Sequence, residues 1–357
     1  MRILLVSRFF PYIGGREVLV MSLAHKLSKE HQVVVATPDI GRVSRDFEII
    51  SNDRKSLKRC LKFFKPEIVN SHTFYLTKDL VNLTKKYKVP LVLTIHGDVF
   101  GFGSNSDKKL LKSLIPNLDF IVAVCKHGQS QMLDNGANSD KLSVIYPGID
   151  TDIFQESRNK KIFRKAFQLP PNKFVFITPA RMVKYKGIDT LLDAVAKLKD
   201  DIRSKSLFWI TTPSTRYRED ELNYTKEIFR KAGLLGIKDN LVISFSDYVS
   251  MSFAYKAANA FILPSFTEQL PISILEAMSS ALPVICTNVG GVSEIINNSV
   301  GDLVEAGNVQ NLVESIETVY KFPNLQKTSL AKKKVQKSFN ANRMVNEYLN
   351  LYKKLTR

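Results

Sequence analysis

Two glutamates, Glu268 and Glu276, lie eight positions apart in the segment PSFTEQLPISILEAM (264–278), among apolar and small residues. AFILPS has the composition of a buried strand and SFTEQL that of a loop, and Pro271 suits the first turn of a helix because its missing N–H is no loss there. Glu268 is therefore expected in the loop and Glu276 in the second helical turn. A carboxylate on so apolar a helix either lies at a solvated edge or hydrogen-bonds a ligand that carries hydroxyls.

A second group of residues is basic. The strand-like run KFVFITP ends just before Arg181, and Lys186 with Gly187 opens the next predicted helix. Arginine binds phosphate oxygens through two parallel N–H groups, lysine adds a compact positive charge, and a helix N-terminus supplies free N–H groups. Together they predict a diphosphate site. The alternative is a pair of solvated bases on a basic protein.

Two glycine pairs follow predicted strands. Gly290 and Gly291 come after PVICT and permit close backbone approach to a ligand, and Glu294 lies in the short helix that follows. Gly14 and Gly15 come after RILLVS and precede a helix. This second pair is not G-x-G-x-x-G and so lacks the fingerprint of the nicotinamide-dependent dehydrogenases, but its backbone amides could still face a phosphate or a sugar.

The histidines and cysteines give a different signal. His72 and His96 follow PEIVNS and PLVLTI. Their position at the ends of adjacent strands favours a functional role for His96, whereas for His72 a structural role is favoured and a functional one stays the alternative. No close group of histidine, cysteine and carboxylate residues predicts a metal site. Cys60, Cys125 and Cys286 are far apart, which argues against a disulfide framework.

Short runs rich in Val, Ile and Leu alternate with segments of helical period, a pattern typical of parallel strands covered by helices on both faces. The predicted strands are RILLVS, QVVVAT, PEIVNS, PLVLTI, DFIVAV and KLSVIY, then KFVFITP, LFWITT, NLVISF, AFILPS, PVICT and GDLVE. Predicted helices include 16–29, 54–65, 76–87, 187–199, 219–233 and 309–321. The expected fold class is α/β, with two Rossmann-like doubly wound domains whose ligand loops face a common cleft.

The alternation is interrupted at YPGIDTDIFQES (146–157), which is rich in turn-forming and acidic residues. We therefore expect an N-terminal domain over 1–155 and a C-terminal domain over 156–340. A C-terminal helix over 341–357 completes the chain, and its packing back on the N-terminal domain is a hypothesis.

The order and spacing of these motifs resemble those of the family-4 retaining glycosyltransferases, which have the GT-B architecture. The resemblance runs nearly end to end. It is carried by GG at 14–15, TIHGD at 94–98, YPGID at 146–150, Arg181 with Lys186 and Gly187, the pair Glu268 and Glu276, and GGVSE at 290–294.

This resemblance implies that the C-terminal domain holds a nucleotide-diphosphate sugar and that the N-terminal domain holds the acceptor. Arg181 and Lys186 would bind the diphosphate, Glu276 the ribose hydroxyls and Glu268 the donor sugar. The implied catalytic residues are His96, Arg181, Lys186 and Glu268. The implied substrate-binding residues are Gly14, Gly15, His72, Arg181, Lys186, Glu268, Leu270, Glu276, Gly290, Gly291 and Glu294.

The implied chemistry needs no further cofactor and no metal. A nucleotide diphosphate leaves readily when fixed cations and amides meet its developing charge, so no general acid has to protonate it. In the family's usual description the acceptor attacks from the face that the leaving group departs, His96 lines the reacting centre, and the amide of Gly15 meets the phosphate or sugar. Ala180 and Gln269 stand where the family commonly has glycine, which leaves the donor's identity open.

The net charge of +18 indicates an anionic partner, whether nucleic acid, membrane surface or phosphorylated substrate. The segment RKSLKRCLKFFK (54–65) has helical amphipathic spacing, so it either docks on anionic lipid or covers the sheet with its basic face in solvent. Nucleic-acid binding is the competing non-enzymatic hypothesis, but the aromatic residues follow strand and helix patterns and no nucleic-acid motif is present. A hydrolysing nucleotide-sugar 2-epimerase is the enzymatic alternative.

The longest apolar runs are far shorter than the roughly 18 residues that a membrane-spanning helix requires. The apolar stretch at the N-terminus is also too short for a signal peptide. We therefore expect a cytoplasmic protein whose partners are a nucleotide sugar and a glycan or lipid-linked acceptor, with no nucleic acid. Peripheral contact with the cytoplasmic membrane face is a hypothesis.

Overall fold

The computed structural model describes residues 1–7, 14–38, 44, 46–155, 159–213, 219–246 and 248–357. The chain forms two compact units, Met1–Ile149 with Phe339–Arg357, and Asp150–Ser338. It leaves the first unit after Ile149 and returns after Ser338, a few residues before the crossings expected at 155 and 340. The final helix belongs to the first unit.

In the described part of the first unit, seven parallel strands form a sheet in the order β3-β2-β1-β4-β5-β6-β7. The strands are β1 (Arg2–Val6), β2 (Gln32–Thr37), β3 (Glu48–Ser51), β4 (Ile68–Ser71), β5 (Leu91–Ile95), β6 (Phe120–Ala123) and β7 (Leu142–Val144). The central strands are continuous apolar runs because helices cover both faces of the sheet. The strand order reverses between β1 and β4, which is where ligands bind in sheets of this kind.

The helices of this part are α1 (Gly15–Leu27), α2 (Arg54–Phe63), α3 (Thr77–Tyr87), α4 (Val99–Phe102), α5 (Asn105–Leu114) and α6 (Lys126–Asp134). Helix α2 begins after Asp53, whose carboxylate accepts from the Ser56 amide and so caps the first turn. Its apolar residues Leu57, Cys60 and Leu61 lie in the hydrophobic core of the unit. The apolar face of α2 therefore covers the sheet.

The second unit repeats this plan. Its described strands form a six-stranded parallel sheet in the order β10-β9-β8-β11-β12-β13, which reverses between β8 and β11. They are β8 (Phe174–Pro179), β9 (Ser206–Pro213), β10 (Leu241–Ser246), β11 (Ala260–Leu263), β12 (Val284–Thr287) and β13 (Asp302–Val304). The helices are α7 (Lys160–Ala166), α8 (Ile188–Lys197), α9 (Asp200–Arg203), α10 (Glu219–Leu234), α11 (Tyr248–Ala257), α12 (Ile272–Ser279), α13 (Val292–Ile295), α14 (Val309–Lys321) and α15 (Leu325–Ser338).

The last helix, α16 (Ala341–Leu355), packs in the first unit through two fully buried tyrosines. Asn70 on β4 donates to the Tyr352 hydroxyl at 2.7 Å, and the Tyr348 hydroxyl lies 3.3 Å from Thr94 Oγ1 on β5. Thr94 in turn donates to Asn70 Oδ1 at 3.1 Å. Because these polar groups are buried, each needs the partner that the others supply.

Two doubly wound α/β units confirm the expected fold class. All twelve predicted strand runs coincide with strands of the structure, with ends that differ by at most two residues. Strand β3 was missed. It has four residues, it lies at the edge of its sheet and its residues are partly exposed, so it lacks the continuous apolar run of the central strands.

Candidate active site

Arg181 lies at the carboxyl end of β8, next to the reversal of strand order in the second unit. The amide of Ala180 still donates to Thr211 on β9, so the sheet fixes the backbone up to the residue before Arg181. The guanidinium donates to the Tyr185 hydroxyl and lies 3.6 Å from Glu221 Oε1. Its side chain is 46% exposed, which leaves it accessible to an anionic ligand.

Gly187 joins the loop after β8 to the loop after β11. Its φ is +69°, in the left-handed region, and a Cβ at this position would lie 1.9 Å from the carbonyl oxygen of Pro264. The Phe266 amide also donates to the Tyr185 carbonyl at 2.8 Å. Only glycine permits this approach, and it brings the two loops that flank β8 and β11 into contact.

Lys186 and Glu268 form an ion pair in this contact. Lys186 Nζ lies 2.5 Å from Glu268 Oε1, and the side chains are 16% and 10% exposed. The Ser265 hydroxyl donates to the same carboxylate oxygen at 2.8 Å. A pair this well shielded from water interacts strongly, so any anionic ligand of Lys186 would have to share the ammonium with Glu268 or displace the carboxylate from it.

Glu276 is 6% exposed, which rules out the solvated-edge alternative. Burial raises the pKa of its carboxyl to about 7. The Tyr255 hydroxyl donates to Glu276 Oε2 at 2.8 Å and stabilises the charged form. Burial of the charged carboxylate is costly, and the Tyr255 hydrogen bond offsets only part of that cost. The site therefore suits a ligand whose hydroxyls donate further hydrogen bonds to Glu276.

The loop after β12 packs against the same region. Gly290 has a φ of +53°, and the Gly291 amide donates to the Gln269 carbonyl at 2.9 Å. Leu270 is buried, and Glu294 is half-buried in α13. The structure thus joins the predicted glycine pair to the loop of Glu268 through backbone contact.

In the first unit the two predicted histidines form a pair. His72 Nδ1 lies 2.9 Å from His96 Nε2, at the ends of β4 and β5. Burial lowers the pKa of His72 to about 3 and also lowers the pKa of His96 well below its usual value. Both rings are therefore neutral near pH 7, and one donates to the other.

His72 lies behind His96. It is 1% exposed, and its Nε2 atom has no hydrogen-bond partner within the described part of the chain. The ring of Tyr348 on α16 lies 6.2 Å from the ring of His72. His96 is half-buried and is the more accessible of the two rings.

Gly14 caps the start of α1 in an extended conformation, and Gly15 is the first residue of the helix. Residues 8–13 lie outside the described residues. Two positions further on, Glu17 is buried and accepts from Arg16 Nε at 3.1 Å. Burial raises the pKa of this carboxyl. Glu17 is therefore, like Glu276, a buried acid with a raised pKa.

Sequence reasoning missed the side chains that support the site. Tyr255 precedes Glu276 by 21 positions and Ser265 touches Glu268 within one loop, but neither spacing belongs to a motif. Tyr185, between Lys184 and Lys186 in a short 3-10 turn, was also missed although it lies between the predicted site residues Arg181 and Lys186. An aromatic residue between two bases was the available signal.

The described residues hold neither a metal-binding cluster nor a membrane-spanning helix. No group of three or more histidine, cysteine or carboxylate side chains there is placed to hold a metal ion. Within the same residues, every helix is too short or too polar to cross a membrane.

The comparisons with known proteins agree with this fold. The family model described as Glycosyl transferases group 1 matches residues 159–335, and that described as Glycosyltransferase Family 4 matches residues 13–153. The chain belongs to the family-4 glycosyltransferases, enzymes with the GT-B fold.

Three similar proteins illustrate the match. TuaC of Bacillus subtilis, a glycosyltransferase named for teichuronic acid biosynthesis, is 27% identical over 283 residues, 77% of this chain and 67% of TuaC. The Escherichia coli UDP-Gal:α-D-GlcNAc-diphosphoundecaprenol α-1,3-galactosyltransferase is 26% identical over 315 residues, 83% of this chain and 78% of that enzyme. The structure of Anabaena HepE in complex with UDP-glucose has a TM-score of 0.86 at 18% identity and covers 99% of this chain and 100% of HepE, a likeness of fold.

Proposed function

We propose that this glycosyltransferase moves a hexosyl unit from a nucleotide-diphosphate sugar to a hydroxyl of a glycan or lipid-linked acceptor, with retention of configuration. The proposal is carried by one observation: Arg181, Lys186 and Glu268 converge where the strand order of the second unit reverses. Two similar proteins support it, since the HepE structure holds UDP-glucose and the Escherichia coli relative is named for UDP-galactose and a diphosphoundecaprenol-linked acceptor.

The donor's charged and hydroxyl groups match the side chains of the second unit. Arg181 offers a half-exposed guanidinium and Lys186 a shielded ammonium to the two phosphates. The N–H groups at the start of α8 add partial positive charge beside them. Glu276 accepts hydrogen bonds from the ribose hydroxyls. Glu268 gives up its ion pair with Lys186 and accepts a hydrogen bond from a hydroxyl of the donor sugar.

The transfer then needs no general acid. The bond between the sugar carbon and the diphosphate oxygen breaks as the acceptor oxygen bonds to the same face of that carbon. The acceptor's proton passes to an oxygen of the departing diphosphate, and Lys186 and Arg181 stabilise the negative charge of that group. We propose that the reaction needs no metal ion.

In the first unit, we propose that His96 hydrogen-bonds the donor sugar and that the Gly15 amide meets the sugar or phosphate. The depressed pKa of His96 keeps the ring neutral, so it donates from one nitrogen without adding charge. His72 acts through His96, since its ring is buried behind that side chain.

The donor test uses the purified protein with UDP-glucose, GDP-mannose and ADP-glucose in turn, and measures binding by calorimetry and slow hydrolysis by release of the nucleotide diphosphate. We expect one of the three to bind more tightly than the others and to be hydrolysed slowly. Addition of EDTA is expected to leave both measurements unchanged. Failure of all three donors to bind would overturn the proposed function.

We also propose that α2 contacts the cytoplasmic face of an anionic membrane. Its residues Leu57, Cys60 and Leu61 lie in the core, so the contact must be mainly electrostatic. The exposed basic residues on and next to α2 are Arg54, Lys55, Lys58, Arg59, Lys62 and Lys65. Each such residue gains about 1 kcal/mol near an anionic leaflet. Phe63 is 69% exposed and is placed to enter the headgroup layer.

The membrane test is co-sedimentation with phosphatidylserine-containing vesicles at low salt. Wild type is expected to sediment with them and to be released by 0.5 M salt, because mobile ions screen surface charge over roughly 3–5 Å at that ionic strength. The triple variant K58E/R59E/K62E is expected to stay in the supernatant. The matched control K226E/R230E/K238E changes exposed residues of the second unit by the same charge and should sediment like wild type. Equal sedimentation of both triple variants would exclude α2 as the membrane contact.

A further inference from the structure

Tyr255 on α11 is a fully buried tyrosine whose hydroxyl contacts Glu276. The hydroxyl donates to Glu276 Oε2 at 2.8 Å and lies 3.4 Å from the Ser273 carbonyl oxygen. Within the described residues, no other side chain hydrogen-bonds Glu276. The second carboxylate oxygen, Oε1, is therefore left for a ligand.

The ring of Tyr255 is fixed by packing. The Phe154 ring meets it edge to face with centroids 5.8 Å apart, and the Phe261 ring lies 6.4 Å away. Phe154 and Phe261 are themselves fully buried. A ring enclosed in this way cannot rotate away from Glu276, so its hydroxyl has one position.

We infer that Tyr255 is a positioning residue for nucleotide-sugar binding: it holds Oε2 of Glu276 and so presents Oε1 to the ribose as a charged acceptor. This inference rests on the proposed function, in which Glu276 accepts from the ribose. Tyr255 does not touch the donor in this arrangement. It acts by fixing the orientation and the protonation state of the carboxyl group.

The protonation state follows from the groups that face Glu276. Burial raises its pKa to about 7, and the Tyr255 hydrogen bond opposes that rise. Helix α15 also packs on α12, but its Lys334 donates to the Ile295 carbonyl at 2.6 Å. No further titratable group of the described chain shifts this pKa. Loss of the Tyr255 hydroxyl must therefore raise the pKa of Glu276, and a higher pH is needed to form the acceptor.

The test is calorimetric binding of the tightest donor from the panel between pH 5.5 and 9.5, for wild type and for Tyr255→Phe. The diphosphate of a nucleotide sugar stays fully ionised over this range. A uracil or guanine base loses a proton near the top of the range, but it does so in both titrations, so the ratio of the wild-type and variant affinities reports the protein alone. Wild-type affinity is expected to rise with pH through a midpoint near 7. In Tyr255→Phe the midpoint should move up by about one pH unit, with roughly fivefold weaker binding at pH 7 and equal binding at pH 9.5.

Two controls separate positioning from general damage. Tyr224→Phe removes another buried tyrosine hydroxyl, which donates to Asp189 Oδ2 at 2.6 Å in the same unit, and should leave the binding curve unchanged. Glu276→Gln cannot titrate, so its weaker binding should not vary with pH. If Glu276→Gln keeps the wild-type pH dependence, the inference is overturned regardless of how Tyr255→Phe folds.

The outcomes also distinguish this inference from the function on which it rests. Binding of no donor by wild type would overturn the proposed function itself. Binding by wild type, with a Tyr255→Phe curve that is lower by the same factor at every pH, would leave the function standing and overturn the positioning role. A shifted midpoint with full recovery at high pH supports both.

Discussion

Replacement of Lys186 by alanine is expected to lower turnover by about 10²- to 10³-fold, because the departing diphosphate loses a fixed cation in a site that excludes water. The substitution also leaves Glu268 without its ion-pair partner, although it is only 10% exposed. An uncompensated carboxylate there repels the diphosphate, so donor affinity should fall as well. Initial rates at saturating and at low donor concentration measure the two effects separately.

Lys184 provides the matched control for Lys186. It lies two positions earlier in the same turn, but its side chain is 79% exposed and 3.7 Å from Glu227. Lys184→Ala should change turnover by less than about twofold, as exposed pairs contribute little. The double variant Lys186→Ala with Glu268→Gln should regain donor affinity without regaining turnover. A turnover loss of less than about threefold in Lys186→Ala would show that Lys186 does not stabilise the leaving group.

Replacement of Glu276 by glutamine is expected to have opposite effects on binding and on stability. Donor binding should weaken by roughly 1.5–3 kcal/mol, because the neutral amide replaces a charged acceptor for the ribose hydroxyls. The free protein should become more stable above pH 7. Burial raises the pKa of the wild-type carboxyl from 4.5 to about 7, so the folded state holds a proton that the unfolded state has released.

The sign of the pH dependence follows from that raised pKa. The wild-type carboxyl contributes fully to stability below pH 4.5, and the contribution declines as the pH rises from 4.5 to about 7. The total decline is on the order of 3 kcal/mol. Glutamine resembles the protonated acid and does not titrate, so the variant has no such decline. The free energy of unfolding of Glu276→Gln minus that of wild type should therefore increase between pH 5 and pH 8.

Thermal unfolding at pH 5, 6, 7 and 8 measures this difference. Glu314→Gln, which removes an exposed carboxylate on α14, is the control and should follow wild type at every pH. A Glu276→Gln protein that is destabilised equally at all four values would show that the wild-type carboxyl is ionised in the folded state throughout the range.

The fold could be predicted because buried parallel strands have a simple composition. Segments such as QVVVAT are apolar throughout and correspond to β2 without adjustment. Edge position and partial exposure hid β3, and α11 has no clear apolar face in its sequence. A continuous apolar run identifies a strand that is buried on both faces. An element that is buried on one face, or only in part, has a mixed composition and is harder to predict.

The candidate site could be predicted only in its parts. Arg181 and Glu268 were placed correctly in loops after strands, since the alternation of strands and helices fixes where each strand ends. The contact between Lys186 and Glu268 was not foreseen, because it joins residues 82 positions apart across the reversal of strand order. The burial of Glu276 was also uncertain from sequence, because an apolar helix with one acid fits both a solvated edge and an enclosed pocket.

The contacts of the two α16 tyrosines affect the order in which the two units can fold during synthesis. Asn70 meets Tyr352 across 282 positions, which at about 5–20 residues per second corresponds to roughly 15–60 s on the ribosome. The second unit is one continuous segment and can fold during that interval. In the first unit, Asn70 on β4 and Thr94 on β5 lack their tyrosine partners until α16 has been made. The nascent chain is therefore most exposed to aggregation in its first half, and it depends on its last helix to end that exposure.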